Sequence, residues 1–153
     1  MNRTEKPRVL LVDDNEATCT LVTALLQREF AVETAFDGQE ALERLRTKMY
    51  AAILLDLRMP QPDGYAILDF ISTTRPEVMK SVIVVSAALS PREIERLRQY
   101  DVCAIIAKPF EIESLLQSVK DCANVNDTPA LGPGNLISGS MILLISEWLL
   151  RRL

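Results

Sequence analysis

The feature that most constrains this chain is an alternation. Between residues 8 and 124, five short β-prone runs take turns with five segments of helical period. Arg8-Val9-Leu10-Leu11-Val12 opens the series and stops at Asp13-Asp14. Cys19, Leu21, Val22, Leu25 and Leu26 then recur along one helix face. A weaker run at 31–34 follows, and Asp37-Gly38 supplies turn and cap for a helix with Ala41, Leu42 and Leu45. The run at 51–55 is unbroken and ends at Asp56. A loop at 58–64, with Pro60 and Pro62, leads into a helix carrying Ala66, Ile67, Phe70 and Ile71. A fourth run at 81–85 precedes Ser90-Pro91, an N-cap followed by proline at the first helical position. A fifth run spans 102–107, and a last helix is expected from 110 to about 124.

The first, third, fourth and fifth runs are apolar throughout and do not alternate with polar residues, as strands do when both sheet faces are covered. Parallel strands joined by right-handed helical crossovers follow, an open α/β sheet wound on both sides. The texture changes near residue 124. Residues 125–135 are rich in turn formers and read as a linker, which leaves 1–124 as one domain. Beyond the linker, Ile137, Met141, Leu144 and Trp148 form a stripe at helical spacing, so 136–153 reads as an apolar, amphipathic helix.

Composition removes several classes of function. The chain has no histidine, which excludes Ser-His-Asp and Cys-His catalysis, His-ligated zinc and histidine phosphotransfer on its own residues. Its formal charge of −4 leaves no basic footprint for nucleic acid, and none is expected as a partner. The longest apolar stretch is interrupted by Ser146 and Glu147 and falls short of the ~20 residues that span a bilayer, so no membrane attachment is expected. Three cysteines, at 19, 103 and 122, are odd in number and widely spaced. They read as simple thiols in a reducing, cytoplasmic setting, without a disulfide framework.

Chemistry gathers at the ends of the runs. In open α/β sheets the functional crevice lies beyond the carboxyl ends of the strands. This places Asp13 and Asp14 after the first strand, Asp56 after the third, Ser86 after the fourth and Lys108 after the fifth. Crowded carboxylates repel one another, and a hard divalent cation such as Mg²⁺ relieves the repulsion. Lys108 adds a positive charge and Ser86 a hydrogen-bond donor, both suited to phosphoryl oxygens. The set fits phosphoryl transfer to a carboxylate, with Asp56 on the central strand as the nucleophile. Singly, each residue has an ordinary use as a turn former, a cap or a solvated loop lysine.

Five segments in order carry a family likeness: Val-Asp-Asp-Asn at 12–15, Leu-Leu-Asp-Leu-Arg-Met-Pro at 54–60, Asp63-Gly64, Val-Val-Ser-Ala at 84–87, and Lys108-Pro109-Phe110. Over roughly residues 7–124 the chain resembles the receiver domain of two-component response regulators. The resemblance implies a flavodoxin-like five-stranded sheet of order 2-1-3-4-5, which the family itself exemplifies. It implies that Asp56 accepts phosphate from a histidine kinase or a phosphotransfer protein. It also implies that Asp13, Asp14, Asp56 and the backbone carbonyl of Arg58 hold Mg²⁺. Ser86 and Lys108 then contact the phosphoryl group, and the Lys108–Pro109 bond is expected to be cis.

Two departures stand out against that family. Ile105 occupies the position, three before the lysine, where receivers commonly carry an aromatic switch residue, so coupling at that point is expected to be weak or to run through another element. The segment 136–153 is short for an output domain and is expected to pack on the receiver, to form a homodimer or to bind a partner protein. The expectation is therefore a single-domain response regulator that is not itself an enzyme. A receiver excised from a longer regulator, a non-phosphorylated interaction module and an aspartyl-phosphate phosphatase are the alternatives. Against the phosphatase, Arg58 stands two residues after Asp56, where a second carboxylate would serve as general acid.

Overall fold

The unbroken apolar runs form the interior of a parallel sheet. A computed structural model describes residues 5–125 apart from residue 88. Within them the strands are β1 (Arg8–Val12), β2 (Ala31–Ala35), β3 (Ala52–Leu55), β4 (Val82–Ser86) and β5 (Ala104–Ala107). The helices are α1 (Glu16–Leu26), α2 (Gly38–Thr47), α3 (Gly64–Thr74), α4 (Pro91–Leu97) and α5 (Ile112–Val125). All neighbouring strands run parallel, in the order β2-β1-β3-β4-β5. The expected linker 125–135 is corrected at its first residue, since α5 runs on through Val125; the rest of it and the expected segment 136–153 lie outside the described residues.

Successive side chains of a strand point to opposite faces, and the two faces build two cores. Leu10, Val12, Ile53, Leu55, Val82 and Val84 pack against α2, α3 and α4 through Leu45, Ile67, Leu68, Ile71 and Leu97. Val9, Leu11, Ala52, Leu54, Ile83 and Val85 face α1 and α5 through Val22, Leu26, Leu115 and Val119. With apolar neighbours on both sides, β1, β3 and β4 have no use for polar positions. The edge strand β2 does: its Glu33 accepts hydrogen bonds from Tyr50, Lys48 and Arg44, fastening the edge to α2 and the segment after it.

The helix starts follow the expected chemistry. Asp37 caps α2, Asp63 caps α3 and Ser90 caps α4, each accepting a backbone N–H from three residues on. Asn15, not Asp13 or Asp14, caps α1, which leaves both carboxylates free for other work. A 3₁₀ helix at Pro76–Ser81, opened by Pro76, is an element the periodicity did not show.

The cysteine expectation is corrected. Cys103, just before β5, and Cys122 of α5 form a disulfide, and Cys19 is a buried free thiol. Sequence spacing gave no pairing signal, because the fold alone brings the residue before β5 against α5.

Candidate phosphoacceptor site

The sheet ladder continues one residue past the strand ends and carries the site residues with it. The Asp56 N–H donates to the Val12 carbonyl at 3.0 Å, and the Lys108 N–H donates to the Ser86 carbonyl at 2.9 Å. Asp13 and Asp56 are buried, whereas Asp14 is exposed. One carboxylate oxygen from each of Asp13, Asp14 and Asp56 lies within 4.8 Å of the others. All three predicted acids converge.

Each buried carboxylate is held at one oxygen by backbone. Asp13 Oδ1 accepts the Asn15 N–H at 2.9 Å, and Asp56 Oδ1 accepts the Arg58 N–H at 3.0 Å. Their other oxygens face Lys108, whose Nζ lies 2.6 Å from Asp13 Oδ2 and 3.4 Å from Asp56 Oδ2. Burial pushes the Asp56 carboxyl up, against the opposing pull of the Arg58 N–H and the Lys108 charge, and the Asp13 charge adds to the rise. Burial alone would lower the Lys108 ammonium. The bond to Asp13 and the Asp56 charge outweigh it, and its pKa stands raised.

Ser86 is 1% exposed, and its hydroxyl has no hydrogen-bond partner. A buried hydroxyl without a partner costs stability unless a ligand completes it. Ile105 pairs with Val84 across β4–β5 and packs toward α3 and α4, where Tyr100 also packs. The Lys108–Pro109 bond is cis, as expected, and so is Gln61–Pro62. Cys19 donates to the Asp13 carbonyl at 3.3 Å, and burial raises its thiol to about 11, so it is no nucleophile at neutral pH.

Gly64 is required by its surroundings. A Cβ there would lie 2.5 Å from the Asp56 carbonyl oxygen and 2.5 Å from Leu57 Cα. The Asp63-Gly64 pair therefore lets α3 start against the backbone of Asp56 itself. A receiver-domain family model, described as the response regulator receiver domain, matches residues 9–120.

The chain belongs to the response regulator receiver domain family.

Several relatives show the same likeness. Transcription factor SKN7 of Chaetomium thermophilum is 34% identical over 119 residues, covering 75% of this chain and 15% of its own length. The transcriptional regulatory protein DltR of Streptococcus agalactiae is 30% identical over 116 residues, covering 74% of this chain and 50% of its own. The chain thus spans half or less of these two relatives. Among solved structures, the receiver domain of the sensor histidine kinase PA1611 from Pseudomonas aeruginosa PAO1 is 27% identical, with a TM-score of 0.70 over 78% of this chain and 98% of that one. That receiver holds a magnesium ion coordinated in its active site cleft.

In this receiver, three carboxylates stand against one ammonium, and the donors are all oxygens, a set that fits a hard divalent cation. No helix among the described residues is long and apolar enough to cross a membrane. Sequence reasoning missed a group beside the site, in which the Tyr65 hydroxyl donates to Glu93 and the Arg96 guanidinium lies 3.5 Å from the Tyr65 ring centroid. The helical spacing of Glu93 and Arg96 was its only local signal.

Proposed function

We propose that Asp56 accepts a phosphoryl group from the phosphohistidine of a histidine kinase or phosphotransfer protein, and that the modification switches binding of a partner protein. The observation that carries this reading is the pairing of a backbone-anchored Asp56 carboxylate with Lys108 beside the unpartnered Ser86 hydroxyl. Asp56 Oδ2 attacks phosphorus, the P–N bond breaks, and the imidazole nitrogen leaves with its electron pair. The product is a mixed anhydride on Asp56.

The chain's residues divide the work. The Arg58 N–H fixes the Asp56 carboxylate, Lys108 faces the incoming phosphoryl oxygens, and Ser86 donates to one of them. Asp13, Asp14, Asp56 and the Arg58 carbonyl would hold Mg²⁺. When bound, that ion offsets negative charge on the phosphoryl oxygens. The chemistry is the same whether the receiver acts alone or within a longer regulator. Arg58 supplies no general acid, which supports a phosphoacceptor over a turnover enzyme.

A small acyl-phosphate donor with Mg²⁺, followed over time by intact mass, tests the reading. A persistent single adduct is expected. Steady phosphate release without an adduct would mark an enzyme, and no adduct at all would mark an inert interaction module.

A further inference from the structure

Along α5 the side chains turned to the core shrink, from Leu115 and Val119 to Cys122 and Ala123. Small side chains bury little apolar area, so the last turn gains less from packing than the first. No basic residue stands in that turn to complement the helix C-terminus, and the nearby Asp121 brings a charge of the wrong sign. Lys120 reaches Glu29 of α1 at 3.1 Å, but solvent screens both side chains and such a pair adds little. The Cys103–Cys122 disulfide fastens this turn covalently to the start of β5.

The two sulfurs are not equally reachable. Cys122 is 0% exposed, whereas Cys103 is half-buried and stands close after the exposed Asp101. Thiol–disulfide exchange proceeds by attack of a thiolate on an accessible sulfur, which makes Cys103 the point of attack. Cys19 does not compete, because it is buried on α1, where its Sγ donates to the Asp13 carbonyl. Opening the bridge leaves the sheet in place. The Cys103 N–H donates to the Val82 carbonyl at 2.8 Å and the Lys108 N–H to the Ser86 carbonyl at 2.9 Å, so β4 holds β5 at both ends without help from sulfur. Cys103 precedes β5 and Lys108 follows it, which puts the bridge at the far end of this strand from the phosphoacceptor cluster.

We propose that the Cys103–Cys122 pair is a reversible thiol–disulfide exchange site for a dithiol reductant, and that its state fixes or frees the last turn of α5. A thiolate of the dithiol attacks Cys103 Sγ, the S–S bond breaks, and the Cys122 sulfur leaves with the electron pair and takes up a proton. The second sulfur of the dithiol then attacks its own partner in the mixed disulfide, and Cys103 leaves as a thiolate that is protonated in turn. Both protein sulfurs are reduced, the dithiol is oxidised to its disulfide, and its two protons end on the two cysteines. The site is independent of the phosphoacceptor reading of Asp56. It acts where the chain continues from α5 into residues 126–153.

The full chain, oxidised and folded, is exposed to glutathione as a one-thiol probe, quenched in acid and peptide-mapped. A mixed disulfide on Cys103 is expected. A mixed disulfide on Cys122, a bridge that resists reduction until urea unfolds the chain, or a folded chain with no bridge after mild oxidation overturns the proposal. Amide exchange then compares the oxidised chain with the chain reduced by dithiothreitol. Exchange at 122–124 should rise about ten-fold on reduction, while that at 104–107 should not change. Cys103→Ser without reductant should match the reduced chain, and removing the reductant from wild type should restore the slow rate. Equal exchange in both states, loosening of β5 together with α5, or a change that does not reverse would each contradict it.

Discussion

The Lys108 ammonium sits 2.6 Å from Asp13, closer than its 3.4 Å approach to Asp56. In the unmodified chain it is bonded more tightly to a proposed metal ligand than to the proposed phosphoacceptor. Lys108 thus acts as an internal cation for a cluster that would otherwise repel itself.

Lys108→Ala leaves two buried carboxylates without their ammonium. Stability should fall by about 2 kcal/mol, less than for a fully buried pair because Lys108 keeps some solvent contact. Added Mg²⁺ should recover part of the loss by replacing the missing charge. Thermal unfolding with and without Mg²⁺ measures both effects; a variant as stable as wild type in metal-free buffer would contradict the internal-cation role.

Ser86→Ala separates stability from phosphoryl binding. The hydroxyl is buried and makes no hydrogen bond in the unmodified chain, so its removal should not lower stability and should raise it by about 1 kcal/mol. Beryllofluoride binding should weaken about ten-fold, because a bond to a charged oxygen is lost. A large drop in stability with unaltered binding would mean that the hydroxyl serves the free fold instead.

Glu33 carries a pH prediction. The Tyr50 hydrogen bond and then the Lys48 and Arg44 partners hold its carboxyl below the usual range, with burial working against them. A depressed carboxylate contributes stability above its unfolded pKa and loses it as pH falls through the folded pKa. Glu33→Gln should therefore cost about 1 kcal/mol at neutral pH, moderated by partial exposure. Urea unfolding in a series of buffers should show the gap closing on acidification. A gap of constant size across that range would count against the ionic role.

Reduction tests the disulfide. The Cys103–Cys122 bridge closes a loop across a sequence separation of 19, which restricts the unfolded chain by about 3 kcal/mol. Cys103→Ser, or thiol reductant, should lower the urea midpoint accordingly, and equal midpoints in both redox states would show that the bridge adds nothing.

The sheet was readable because β1, β3 and β4 are buried on both faces, which writes long apolar runs into the sequence. Asp13, Asp56 and Lys108 were readable because each stands one residue past a strand, where the ladder itself carries it to the crevice. The 3₁₀ helix escaped notice, since Pro76–Ser81 is too short to show a period. The disulfide and the Tyr65–Glu93 and Tyr100–Asp69 bonds escaped for another reason. They join residues between 19 and 31 apart whose meeting depends on how helices lie on the sheet, and no local pattern encodes that.

The most direct test compares wild-type chain and Asp56→Asn by intact mass after exposure to an acyl-phosphate donor, with and without Mg²⁺. The wild type should gain one phosphoryl mass only when Mg²⁺ is present, and Asp56→Asn should gain none. An adduct that persists in the Asp56→Asn chain would contradict the assignment of Asp56, as would a wild-type chain that stays unmodified with donor and metal supplied.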